Sequence, residues 1–201
     1  MRFLTSSFYL LAIQLVLLQV AEAQIREDVS EIAPYTVVRE AQGYEERAYP
    51  SAHWVCHNTS LQDPGLTADS FWPLFGYISG ANLNAVSIPM TAPVTVRVQK
   101  DNQTGNWNTM MCFYIPEAHQ ESPPAPYSED VDVVMRPAMN VFANRKGGNL
   151  TTEEWATFAE EFKATLTTEE PTADLSTYYI VGYDSPSKAT NRRNEVWFQR
   201  T

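Results

Sequence analysis

Cysteine is scarce in this chain, and so are the residue patterns that mark most enzymes. There is no H-E-x-x-H, no P-loop and no Gly-rich dinucleotide turn. The string GYISG (Gly76 to Gly80) comes nearest to a nucleophile elbow, but Ser79 stands one place late for G-x-S-x-G and falls at a helix end. No nucleophile with a neighbouring base is visible, so catalysis is not expected. Positive charge is also short. With 14 Lys and Arg against 24 Asp and Glu the formal charge is −10, and no basic block occurs, which argues against nucleic acid or an anionic membrane as partner. No apolar run reaches the roughly 20 residues a membrane span requires.

The longest apolar run, Phe8 to Val20, is broken only by Gln14 and Gln19, with Arg2 before it and Ala21-Glu22-Ala23 after it. That layout predicts a signal peptide over residues 1–23, a membrane anchor being the competing reading. The mature chain then begins near Gln24, with an extension over 24–34 and one domain over 35–201, secreted to the extracellular space. Export exposes thiols to oxidising conditions. Cys56 and Cys112 are the only cysteines, so one intramolecular disulfide is possible; two separately buried thiols are the alternative. Three sequons, at Asn58, Asn102 and Asn149, agree with a glycoprotein, each where a loop or helix entry is expected.

Hydrophobic periodicity organises the rest. Residues 35–40 and 44–56 read as strands around a Gln42-Gly43 turn, with Pro50 marking a bulge or edge. A helix follows from about Thr67 to Gly80, its Phe71, Leu74, Phe75 and Ile78 at i, i+3, i+4, i+7 spacing. In SIPMTAPVTVRV (87–98) the period becomes two, with Ala92, Val94, Val96 and Val98 on a buried face and Thr91, Thr95 and Arg97 on a wet one. Pro93 cannot donate to a ladder, so the start of that strand is an edge, a bulge or an entrance. A strand TMMCFYIP, a Pro-rich loop 117–130 and a long strand interrupted by Pro137 come next. A helix over about 152–167 carries Thr151 and Glu154 at capping-box spacing and a stripe of Trp155, Phe158, Phe162 and Leu166. Two strands close the chain. Strand–helix–strand thus occurs twice, each time with a proline-broken strand feeding the helix. The pattern predicts an internal duplication and an α+β fold, a mostly antiparallel sheet or distorted barrel with two helices packed on it.

His53 and His57 lie four apart, a spacing that shares one metal on a helix but separates them by about 13 Å on a strand. Read as strand, they do not form a zinc site. His119 falls in the Pro-rich loop as a solvated side chain, and the helical stripes account for the helix aromatics as core.

Four stretches in order, YEERAYP (44–50), PMTAPVTVRV (89–98), SPPAP (122–126) and GYDSPSKATNRRNEVWF (182–198), resemble the SOUL haem-binding protein family, with FWPLFGYISG (71–80) where that family has its first helix. The resemblance covers Tyr35 to the C-terminus. It implies a distorted antiparallel β-barrel of two pseudo-symmetric halves, each with a packed α-helix, and noncovalent binding of haem or a related porphyrin. On that basis Phe71, Leu74, Phe75 and Ile78 would supply an apolar groove, with Met90 at its entrance or as core filler, and Lys188 and Arg192 would meet the propionates. Some members carry a His where this chain has Ala48; Tyr49 or His53 would then be the iron ligand. The function implied is a secreted tetrapyrrole carrier or scavenger. The alternative is a secreted interaction or effector-binding module of the same fold without iron coordination.

Overall fold

Two prolines at strand breaks and one at a sheet switch set the topology. The computed structural model describes residues 31–61 and 67–201; the expected signal peptide lies outside them. In chain order the elements are β1 (Glu31–Ile32), β2 (Thr36–Glu40), β3 (Tyr44–Tyr49), β4 (Ala52–Leu61), α1 (Ala68–Ile78), β5 (Thr91–Ala92), β6 (Val94–Lys100), β7 (Trp107–Tyr114), α2 (Glu117–Gln120), β8 (Asp132–Arg136), β9 (Met139–Lys146), α3 (Thr152–Glu169), β10 (Ala173–Gly182) and β11 (Asn194–Arg200). Pro93 falls where the chain changes sheets. Before it, β5 pairs in parallel with β1; after it, β6 enters a nine-stranded antiparallel sheet of order β2-β3-β9-β11-β10-β6-β7-β4-β8. The fold therefore starts ahead of Tyr35: Ala33 is buried and its N–H donates to the Ala92 carbonyl at 2.7 Å.

The sheet order shows the duplication directly. From its centre, β6-β7-β4 runs one way and β10-β11-β9 the other. The unit β4-α1-β6-β7 thus repeats as β9-α3-β10-β11 about a two-fold-like axis between β6 and β10. The outermost strands are exchanged. β3 precedes β4 in the chain but pairs with β9, and β8 precedes β9 but pairs with β4. Pro50 and Pro137 stand at these two crossings. Each proline-broken strand of the sequence is in fact two strands that serve opposite halves. The sheet curls into a half-barrel and stays open, since β2 and β8 do not pair with each other.

Both faces of the sheet are buried. Val55, Val96, Val98, Phe113, Phe142 and Phe198 pack beneath the helices. Trp54, Cys56, Tyr114, Tyr179, Val181 and Trp197 form a second core on the face that carries no long helix. This corrects the wet face expected along residues 91–97, where Thr91 of β5 and Thr95 of β6 are buried. A curled sheet encloses its own inner face, which a flat sheet would leave to water. Cys56 and Cys112 face each other across β4 and β7, with Cα atoms 4.1 Å apart, and are disulfide-bonded. The expected pair is present and wholly buried.

Helix ends follow local chemistry. The Thr67 hydroxyl caps α1 by accepting from the Ser70 N–H, and Gly80 takes φ +109° just past its end. Pro73 lies inside the helix rather than in its first turn, leaving the Asp69 carbonyl without its usual donor. The capping box of α3 is complete, with the Glu154 N–H donating to Thr151 Oγ1 at 3.2 Å and the Thr151 N–H to Glu154 Oε2 at 2.7 Å. Trp155, Phe158, Phe162 and Leu166 are its buried stripe. The short α2 was not expected within the Pro-rich loop. Asn58 lies in β4 rather than a loop because that strand continues to Leu61, yet its side chain, like those of Asn102 and Asn149, is exposed. Among the described residues no helix is long and apolar enough to cross a membrane.

Candidate functional site

The buried stripe of α1 is narrower than its apolar face. Leu74 and Ile78 are buried in the core, so they support the helix and offer no surface to a ligand. Phe71 and Phe75 are only partly covered. Their rings stack at 5.6 Å with a 20° interplanar angle, and Phe71 leans on Phe113 at 5.2 Å. Trp72 stands edge-on to both, 5.6 Å from each ring centroid, and is 56% exposed. These three rings form an aromatic ledge. Sequence periodicity missed Trp72 because it lies off the buried stripe, which is itself the available sign: an aromatic between two stripe positions must face outward.

Met90 is half-buried against the same core, at the proline corner where β6 begins. The loop holding Lys188 and Arg192 leaves β10 at Gly182, which pairs with Val94, so it emerges at that end of the sheet. Arg192 is not available to a ligand edge. It is buried, and its guanidinium donates to the backbone carbonyls of Ser185 at 2.9 Å and Lys188 at 3.4 Å, stapling its own loop. Lys188 is exposed and paired with Asp184, whose carboxyl burial would push up but whose bonds to Lys188 and the Arg193 N–H hold it below the usual range.

Tyr49 and His53 part company. Tyr49 belongs to the helix-free face, its ring 5.3 Å from Tyr35 and 4.8 Å from Trp197, and burial pushes its phenol well above the usual range. The whole sheet separates it from α1, because residues of opposite parity on a strand point to opposite faces. His53 shares the helix-side face with Val55. Its Nδ1 lies 2.8 Å from the Gln120 carbonyl, while the Gln120 side chain bonds the His53 backbone N–H and carbonyl. A carbonyl only accepts, so Nδ1 is the donor of this bond. No cluster of three or more His, Cys, Asp or Glu suited to a metal occurs among the described residues.

The helix-free face holds a polar network that sequence reasoning did not find. Glu195, fully buried, accepts from Arg47 Nη1 at 2.7 Å, Arg193 Nε at 2.8 Å, Trp197 Nε1 at 2.8 Å and Tyr183 Oη at 3.1 Å. Burial opposes its ionisation, but Arg47 above all, with Arg193 and Trp197, keeps the carboxyl below its ordinary range. Its only sequence sign is N-E-V-W, a carboxylate in an otherwise apolar strand.

Taken together, the duplicated half-barrel, the strand exchange and an aromatic ledge on the first helix define an α+β fold with two long helices on one face of a curled antiparallel sheet. The SOUL heme-binding protein family matches residues 30–199, and the chain belongs to that family. It is 32% identical over 179 residues to human Heme-binding protein 2, covering 88% of this chain and 87% of that one. It is 30% identical over 162 residues to mouse Heme-binding protein 1, covering 79% and 85%. Among solved structures it resembles a hydrolase from Listeria innocua, with a TM-score of 0.54 at 12% identity over 82% of this chain and 94% of that one. A likeness at this identity speaks to fold alone.

Proposed function

We propose that this is a secreted, non-catalytic binding protein for haem or a related porphyrin, a carrier or scavenger that holds the ring noncovalently on the α1 ledge. The observation that carries the reading is Trp72, 56% exposed between two partly covered phenylalanines. A porphyrin is a flat apolar disc, and an open aromatic surface at the rim of a packed core suits it by stacking and apolar contact. The family and the names of its relatives, Heme-binding protein 1 and 2, support the ligand class. Haem brings an iron that accepts one or two axial donors. Tyr49 does not fit that role from the far side of the sheet. His53 lies on the helix side of the sheet with Nδ1 held by the Gln120 carbonyl, which leaves Nε2 as the nitrogen for iron. Lys188 is the loop cation left to meet a propionate. The exposed Asn58, Asn102 and Asn149 fit glycosylation during export.

The test is a haemin titration followed at the Soret band, with wild type, Trp72→Ala and His53→Ala. Saturable binding weakened at least tenfold by Trp72→Ala supports the ledge, and a sharp band lost only in His53→Ala adds iron coordination. No saturable change in wild type removes the haem reading and leaves the interaction module of the same fold.

A further inference from the structure

Arg136 and Tyr49 occupy equivalent places in the two halves. Each is the last residue of an exchanged strand, each precedes the proline at the crossing, and each pairs with the first residue of the next half's strand, Arg136 with Ala52 and Tyr49 with Met139. Both line one small cavity on the helix-free face, at the two-fold-like axis, together with Ala33, Trp54, Tyr114 and Met139. Its free volume is about 10 Å³, the space of about one water molecule.

Arg136 is 9% exposed, and its side chain is not neutralised. Its guanidinium lies 4.1 Å above the Trp54 ring centre and 5.7 Å from that of Tyr179. Nη2 donates to Thr95 Oγ1 at 3.2 Å, but Nη1 is buried with no partner. The Tyr49 hydroxyl is buried too, but beside Arg47, Tyr183 and Glu195. No carboxylate pairs with Arg136 among the described residues. The charged group that acts on it is a second cation, Arg97, half-buried on β6; burial first and Arg97 next bring its pKa down to about 10, so it stays charged at neutral pH. The buried carboxylate of this face, Glu195, is already taken by Arg47 and Arg193.

An uncompensated buried charge is strongly unfavourable, and aromatic faces offset only part of that. We propose that the cavity at the crossing of β3–β4 and β8–β9 is a binding site for a compact monovalent anion, a halide or the head of a carboxylate, held by Arg136 Nη1. The cavity is too small for a porphyrin and lies across the sheet from α1, so the site is independent of the ledge.

The test follows the thermal midpoint of the purified protein against chloride and, separately, acetate. Ionic strength is held constant with sodium HEPES, whose bulky tetrahedral sulfonate does not fit the space of about one water molecule. Wild type is expected to show a saturable rise of several degrees, which Arg136→Met abolishes. Arg136→Lys, which keeps the charge but loses the fork of donors, is expected to shift the saturation midpoint to roughly tenfold higher anion. Saturation by chloride alone assigns a free halide; saturation by acetate at lower concentration assigns a carboxylate head. A flat wild-type response in both series overturns the site, as does a saturable response that persists unchanged in Arg136→Met. Should Arg136→Met fail to fold, an unchanged midpoint in Arg136→Lys overturns it instead.

Discussion

The guanidinium of Arg47, on β3, reaches past β9 to grip the carboxylate of Glu195, on β11, with both ends: Nη1 to Oε2 at 2.7 Å and Nη2 to Oε1 at 3.2 Å. Both residues are buried, and the pair ties the exchanged strand of the first half to the second. Removing one charge leaves the other buried without compensation. Glu195→Gln is therefore expected to lower stability by about 3–5 kcal/mol, read as a shift in the urea midpoint. A loss below 1 kcal/mol would mean that the network does not hold β3 in place.

The same carboxyl sets a pH dependence. Its pKa is depressed in the folded protein despite burial, so its contribution is complete above the unfolded-state value of about 4.5 and is lost as pH falls through the folded value. Unfolding free energy should decline from pH 5 towards pH 2, and Glu195→Gln should flatten part of that slope. A parallel slope in wild type and variant would show that other carboxylates account for it.

Cys56 and Cys112 close a loop of 56 residues. Chain-entropy arguments put the stabilisation from such a cross-link at about 4 kcal/mol. Replacing both by Ala is expected to lower the unfolding free energy by an amount of that order. Mild reductant alone should act slowly, because both sulfurs are buried. Rapid loss of the bond in dithiothreitol without prior unfolding would contradict that burial.

Trp72 and Leu74 sit two residues apart on α1 with opposite roles. Leu74→Ala removes a fully buried side chain and should cost about 2–5 kcal/mol. Trp72→Ala should change stability by no more than about 1 kcal/mol while weakening haemin. Equal destabilisation by the two would mean that the ledge is core and not surface.

Much of this was legible in the chain. The helical stripes, the Thr151–Glu154 cap, the cysteine pair and the duplication each rest on local periodicity or simple counting, which survive folding unchanged. The site was less so. Leu74 and Ile78 share the i, i+3, i+4, i+7 stripe with Phe71 and Phe75, and a stripe does not say which of its members lie at the rim. Tyr49 is offered as an iron ligand because it follows Ala48, where some relatives carry a His; the sheet puts it on the face away from α1, a consequence of strand parity. Arg136 gave no sign at all. A single arginine before the proline that breaks a strand reads as an ordinary edge residue until the two crossings are seen to meet.

The exchange of β3 and β8 makes neither repeat self-sufficient. Each half ends in a strand owned by the other, so a lone half would expose an unpaired edge beside β4 or β9 while carrying a loose strand that matches it. Two copies of one half could satisfy each other in the way a domain-swapped pair does. The present chain is equivalent in topology to such a pair fused head to tail, with the two proline crossings marking where each half reaches into the other.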